Sequence, residues 1–378
     1  MRRRGSDWFQ RLLLPGFAFK AVVIGGGYAT GRELATFFMP AGPRGGVYGM
    51  LLATMVWSGV AALTFLFAYR TDARDYRRFF GWLLGPLWPV YEVAYALAMI
   101  VILAVFAAAA GAIGQAMFGW PVAVGAVLLV LAIAAVAALG NEGVERLFKW
   151  VTLFLYGTYA LFVVLMLSRF GDRVAAAFAA PAPVSASTGG WAAGGLTYAG
   201  YNIIGAIVIL PVTRHLSSPR DAVVAGLLAG PFAMLPALLF FVCMTAFYPV
   251  IQAQTLPSDY MLARLDLPLF RAIFQAMIFA ALLESGTGGV HAVNERIAAA
   301  WGDRRAAALS RGGRLAITVA VLVFCVFIAG EFGLAALIGQ GFKWLSYTFL
   351  AIYVLPLVTI GLWRMVRWPS RTEAAPVR

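Results

Sequence analysis

The feature that most constrains this chain is a succession of apolar runs separated by short breaks of Gly, Pro and charged residues. A helix rises about 1.5 Å per residue, so a run of about 20 apolar residues covers the roughly 30 Å of hydrocarbon in a bilayer. Composition agrees with this reading, since 62% of the 378 residues are hydrophobic and 12% are charged. Soluble domains carry roughly 45–50% apolar and about 25% charged residues. The expected fold class is therefore all-α and integral to a membrane. The net charge of +13 would indicate nucleic acid only if the basic residues gathered on one folded face. They flank the apolar runs instead, so the lipid bilayer is the expected partner and nucleic acid is not.

The runs read as about ten spans, at 14–39, 46–69, 86–113, 120–139, 146–168, 191–212, 222–247, 268–297, 314–330 and 342–364. Gly42-Pro43, Gly85-Pro86, Trp120-Pro121 and Ser218-Pro219 punctuate them. Arg2-Arg3-Arg4 before Leu12-Leu13-Leu14 has the look of a signal peptide. Lys20 interrupts the apolar stretch and no cleavage site follows, so a mature first helix is expected. With the amino terminus in the cytoplasm, 21 of the 29 Lys and Arg residues fall on the inner side and five on the outer. That asymmetry places both termini in the cytoplasm of a multi-pass protein, expected in a bacterial inner membrane. Loop 70–85 mixes Arg74, Asp75, Arg77 and Arg78 with Phe79, Phe80 and Trp82, the pattern of an interfacial helix. The extracytoplasmic linker 169–190 divides the chain into a five-helix repeat at 1–168 and a second at 191–367, followed by a cytoplasmic tail at 368–378. Because each set holds an odd number of spans, the second inserts upside down relative to the first.

Two spans carry interruptions. The first contains Gly25-Gly26-Gly27-Tyr28-Ala29-Thr30-Gly31, and Gly disfavours helix by about 1 kcal/mol relative to Ala. The sixth contains Gly194-Gly195-Leu196-Thr197-Tyr198-Ala199-Gly200-Tyr201-Asn202. Unwound backbone is tolerated in hydrocarbon only beside a cavity or packed in protein, and paired breaks in two halves point to a transporter's binding site. The competing reading is that these glycines only let helices approach closely. A nucleotide loop is excluded, for no strand precedes the glycines and no Gly-Lys-Ser/Thr ends them.

Span eight adds Glu284, Thr287, His291 and Glu295, which at about 100° per residue form a polar stripe about 16 Å long, expected to line an aqueous path. Gly26, Tyr201 and Glu284 all fall near the expected midplane. Intramembrane ionisable residues are costly, which makes Glu284 the leading functional candidate. Lys20 either serves the break or snorkels to the interface. Arg32 and Glu33 either pair with each other or gate the outer path, while Glu92, Glu331 and Lys343 read as structural. Tyr95, Tyr156, Tyr159, Tyr198, Tyr201 and Tyr347 lie deep in spans, as cavity hydrogen-bonding groups or as packing residues. Cys243 and Cys325 lie in separate spans with no C-x-x-C or His/Cys cluster, so no resident metal is expected beyond a coupling Na+.

From Gly25 to Phe38 the chain reads GGGYATGRELATFF, which resembles the YkvI-like family of bacterial membrane proteins. Leu196–Asn202, Gly286–Ile297 with Glu295-Arg296, and Phe342–Pro356 extend the likeness over most of the chain. That family resembles the amino acid–polyamine–organocation superfamily. The resemblance implies a LeuT-like fold, a 5+5 inverted repeat with broken helices one and six, and a site formed by spans one, three, six and eight. It implies that amides at Gly26, Gly27 and Tyr28, beside Gly25, bind a substrate carboxylate, with Tyr95, Tyr198, Tyr201 and Asn202 as further substrate contacts. It also implies a sodium site at Ile24, Gly27, Ser285 and Thr287. Glu284 and Lys20 depart from that pattern, through proton coupling or through an ammonium group in place of sodium.

These readings point to a secondary transporter, a symporter-type permease. It would carry a small-molecule substrate, an amino acid or related amine, by alternating access with Na+ or H+ and no other cofactor. Lys20, Arg32, Glu33 and His291 are its candidate gating or proton-relay groups. A ligand-sensing membrane protein and an ion channel stay open as alternatives, although no filter-like sequence supports the channel. An enzyme is not expected, because Glu284 with His291 makes a weak catalytic pair. The oligomeric state is left open.

Overall fold

The first apolar run folds as three short pieces rather than one rod in a computed structural model of the chain, which describes residues 8–24, 26–138, 141–180, 190–305 and 311–367. Helix α1 (Leu14–Val23) carries Pro15 in its first turn, where a missing N–H is harmless. It stops at Ile24, whose φ of −79° and ψ of 74° leave the helical region. Helix α2 (Gly26–Ala29) follows, and then Gly31 turns the chain at φ +76° into α3 (Arg32–Phe37). A side chain at Gly31 would be strained by that φ, and its Cβ would fall 2.6 Å from the Phe240 ring.

Helix α4 (Gly42–Thr71) precedes α5 (Tyr76–Leu84), the short helix expected in loop 70–85. Asp75 caps α5, its carboxylate accepting from the Arg78 backbone N–H at 2.9 Å. The aromatic face of α5 enters the protein rather than the headgroups. Phe79 packs on Phe67, and Phe80 stacks on Tyr91 at 3.8 Å between ring centroids.

Helices α6 (Pro89–Phe118) and α7 (Val122–Ala138) meet through glycine: a Cβ on Gly111 would lie 2.4 Å from the Val122 carbonyl oxygen. Helix α8 (Asn141–Ala179) bends at Phe170 and runs on past residue 168. No helix breaker occurs in Val174–Ala180, so residues 169–179 of the expected linker are helical, and residues 181–189 lie outside the described residues.

Helix α9 (Gly190–Asn202) and the short α10 (Ile204–Val208) make the second broken run. Helix α11 (Pro219–Thr245) is capped by Ser218, whose hydroxyl accepts from Asp221 N–H at 3.0 Å. A short helix α12 (Pro257–Leu265) sits in the connection before α13 (Pro268–Arg305). Helix α14 (Arg311–Ala336), kinked at Gly333, a π turn at Leu337–Gly341, α15 (Phe342–Phe349), two further π turns and α16 (Leu362–Arg367) complete the described residues. No strand occurs among the described residues. Six stretches are long and apolar enough to cross a bilayer, namely Met39–Thr71, Pro89–Phe118, Val151–Ala179, Pro219–Thr245, Pro268–Ala298 and Gly312–Arg367.

Two packing groups result. Helix α4 lies along α11 and α9, with α1 against α11, while α6, α7, α13 and α14 pack on one another. Helix α8 touches both groups, meeting α11 on one side and α13 on the other. Lipid supplies no hydrophobic drive for helix pairing, so close van der Waals fit must hold each group together. Gly226 and Gly230 of α11 provide it, since a Cβ at either would come within 2.3 Å of Ala62 Cα or the Ser58 hydroxyl oxygen. Gly226→Val is expected to destabilise the detergent-purified protein by about 1–3 kcal/mol in thermal unfolding. Gly59→Val, on an open part of α4 with nothing within 4 Å, is the matched control and should leave the transition in place.

Candidate functional site

A cavity of about 300 Å³ lies between the two groups, lined by Ala21–Val23 of α1, Glu33 of α3, Tyr95, Met99 and Phe106 of α6, Tyr201 and Asn202 of α9, and Ile204 and Val208 of α10. Helix α13 gives it Ser285, Gly288, Gly289 and Ala292, and Phe342 closes one side. The α13 residues follow one another at i, i+3, i+4 and i+7, a single face. Small residues all along that face are what leave room for a cavity.

Glu33 sits at the inner end of this space. It is 6% exposed and accepts a hydrogen bond at Oε2 from the Tyr201 hydroxyl. Tyr201 is fixed in turn by stacking on Phe342 at 4.3 Å. On the α1 side of the break the lining is open: Val22 is 38% and Val208 42% exposed. On the far side it is closed, with Thr30 and Leu34 fully buried. Arg32 seals that far side by donating to the carbonyls of Gln252 at 2.9 Å and Gln254 at 2.7 Å. The Ser258 N–H adds a bond to the Thr30 carbonyl at 3.0 Å. Further in, the Tyr159 hydroxyl donates to the Pro236 carbonyl at 2.6 Å, so at their 3.0 Å contact Tyr28 is the donor to Tyr159.

A second cavity of about 220 Å³ lies behind α1, lined by Ala21, Ile24, Thr152, Leu155, Tyr156, Ala281, Glu284 and Ser285. Ala21 and Ser285 border both cavities. Lys20 lies at its edge, with Nζ 4.4 Å from the Tyr156 ring centroid. Ile24, Glu284 and Ser285 thus line one cavity, which Thr287 does not border, and Thr152 of α8 joins them unforeseen.

Several expectations are corrected. Gly194, Gly195 and Gly200 do not unwind α9, which is helical through Asn202. They are contact points, for added Cβ atoms would strike the Phe37 carbonyl at 1.9 Å, the Gly49 carbonyl at 2.5 Å and the Ser346 hydroxyl at 2.1 Å. The interruption comes after them, at Ile203, and is slight: with φ −63° and ψ −19° the residue stays helical, and the chain tightens as Ala206 N–H bonds its carbonyl at 3.0 Å. The break in the first run is also narrower than the glycine cluster, because Gly26, Gly27 and Tyr28 already belong to α2, and Gly25 lies outside the described residues. The Tyr28 side chain turns to Tyr159, and Tyr198 is fully buried against Phe38 and Trp57, so neither phenol lines the cavity. Tyr95, Tyr201 and Asn202 do line it.

The polar stripe of α13 points elsewhere, lying about 100° around the helix from the small-residue face. Glu284 enters the second cavity, Thr287 bonds back to the Leu283 carbonyl at 2.7 Å, His291 is exposed, and Glu295 pairs with Arg314. Arg32 and Glu33 do not pair. Tyr347 is 51% exposed rather than deep. Glu92 has a structural setting, bound by Arg296 and by Tyr76 at 2.5 Å each. Burial and then the bond to Glu92 raise the Tyr76 pKa above its usual value, which keeps the phenol protonated as donor. Met99, Phe106, Phe342 and the Gln252 and Gln254 carbonyls were missed. The small-residue repeat at 285, 288, 289 and 292 was the one legible signal for that wall.

Solved transporter structures share this architecture. MhsT in complex with L-phenylalanine matches at a TM-score of 0.62 and 17% identity, over 94% of this chain and 88% of that one. Mhp1 in an inward-facing conformation matches at 0.56 and 13%, over 93% and 76%. A manganese transporter of Eremococcus coleocola matches at 0.53 and 15%, over 95% and 81%. The chain has the LeuT fold. No protein-family model matches the sequence, and no curated protein matches it. In the LeuT fold as built here, the two interrupted runs meet at the main cavity and the Arg32 latch shuts one approach to it. Arg32→Ala is expected to open that approach. In an otherwise wild-type protein carrying Ser258→Cys, a fully buried position, maleimide labelling should speed up several-fold when Arg32 is removed.

Proposed function

We propose that this chain is a secondary active transporter, a symporter-type permease that moves a small organic solute by alternating access. The observation that carries this reading is a solute-sized cavity at two interrupted helices, open on one side and held shut on the other by a few reversible hydrogen bonds. Exchanging which side is latched requires breaking the Arg32 contacts and closing α1 and α10 over the exposed lining. The packing groups are separate enough to rock against each other, with α8 in contact with both.

The solute class proposed is an amino acid or a related amine. The similarity to a structure holding L-phenylalanine supports an organic solute. Among the described residues no three His, Cys, Asp or Glu side chains gather, which argues against a metal ion as cargo. The second cavity is the proposed coupling-ion site, with Glu284, Ser285 and Ile24 taking Na+ or H+, and Thr152 supplying the hydroxyl that Thr287 turns away. Membership of the YkvI-like family, the two five-helix repeats and a bacterial inner-membrane location with both ends cytoplasmic belong to the same proposal. The motif at 25–38 and the 21-to-five charge asymmetry support them.

Flux through purified protein in liposomes tests the reading. Wild-type protein should accumulate an amino acid or amine under an imposed Na+ or pH gradient. Glu284→Gln should abolish gradient-driven accumulation while leaving solute exchange at equal concentrations within about twofold, as expected when the coupling group alone is lost. Full accumulation by Glu284→Gln removes that residue from coupling, and the absence of exchange of any such solute by wild-type protein removes the carrier reading.

A further inference from the structure

The polar groups of the main cavity are one-sided. Among the described residues Glu33 is the one carboxylate lining it, and no Lys, Arg or His side chain does so. The cations nearby have other partners: Lys20 the Tyr156 ring, Arg32 the Gln252 and Gln254 carbonyls, and Arg296 Glu92 and the Tyr95 ring. Tyr201 is the hydrogen-bond partner of Glu33 among the described residues and donates to Oε2, leaving Oε1 without a described partner. A carboxyl buried in this way stays ionised at low cost only against a cation, and without one it takes up a proton. The backbone has the same sign. The last turn of α1, at Ala21–Val23, ends on the cavity as the chain leaves the helical region at Ile24, and a helix carries partial negative charge at its C-terminal end.

We infer that the ligand of this cavity is a hydrophobic organic monocation, an amine without a carboxylate, whose ammonium group bonds Glu33 and whose apolar body lies among Met99, Phe106 and Phe342. This narrows the proposed function and rests on the cavity being the solute site. A ligand carboxylate would meet ionised Glu33 as a like charge beside the carbonyl end of α1. The amides that open the four-residue α2 and the five-residue α10, whose Ile204 lines the cavity, are what would offset that repulsion.

Four probes of one shape decide the matter by thermal shift of the purified full-length protein: phenethylamine, phenethyl alcohol, L-phenylalanine and 3-phenylpropionate. Phenethylamine should stabilise the protein, with each of the others weaker by about tenfold or more, the size of one charge-assisted hydrogen bond. Glu33→Gln should erase the preference of amine over alcohol. If that variant does not fold, Glu33→Asp, which keeps the charge and draws it back by one methylene, should weaken the amine and leave the alcohol unchanged. Equal binding of the alcohol, tighter binding of either carboxylate-bearing probe, full amine affinity in Glu33→Gln, or no shift by any probe overturns the inference. Amine binding without exchange of labelled amine across liposomes would leave Glu33 its role and remove the carrier. Exchange of phenylalanine without amine binding would do the reverse.

Discussion

Inside a bilayer a peptide group has no water to turn to, so each N–H and C=O must find its partner within the protein. Most long helices satisfy that condition by themselves; α11, with Pro231 and Pro236 inside it, also takes bonds from outside, Ser58 donating to the Leu227 carbonyl and Tyr159 to the Pro236 carbonyl. Of the two interrupted runs, the first leaves the helical region at Ile24 and reverses its local twist at Gly31, and the second slips at Ile203. Neither interruption is bare to lipid. The first packs on α6 and α13 and the second on α1 and α4, and both border the main cavity.

The same constraint explains how so much glycine is used. With hydrocarbon on all sides, helices gain from pairing only where their backbones fit closely. Gly226 against Ala62, Gly125 against Ala110 and Gly194 against Phe37 are contacts that no larger residue permits. The chain thereby separates into two tight groups, and the looser space between them becomes the site. Close packing within the groups and vacancy between them are two results of one distribution of small residues.

The broken first run and the short α5 helix were legible because glycine density and an amphipathic charge pattern act locally. The second interruption was mislocated for an equally clear reason. A glycine in a membrane helix serves either to unwind it or to bring a neighbour near, and the residue alone does not say which. At Gly194, Gly195 and Gly200 the neighbours are Phe37, Gly49 and Ser346, all far away in sequence. The polar stripe on α13 misled in a similar way. Its residues do share a face, but which face meets the cavity depends on how α13 is rotated against α6 and α8, and the small residues won that position.

The sequence by itself determined that this chain is built of apolar helices long enough to cross a membrane, and that its first span cannot be a simple rod, because hydrophobic length and helix propensity are properties of residues read in order. Only the tertiary structure decided that Glu33 faces the cavity, that Glu284 faces a different one, and that Arg32 closes one entrance on carbonyls more than 200 residues away. Those outcomes follow from the rotation and contact of helices distant in the chain, and no local pattern encodes a rotation.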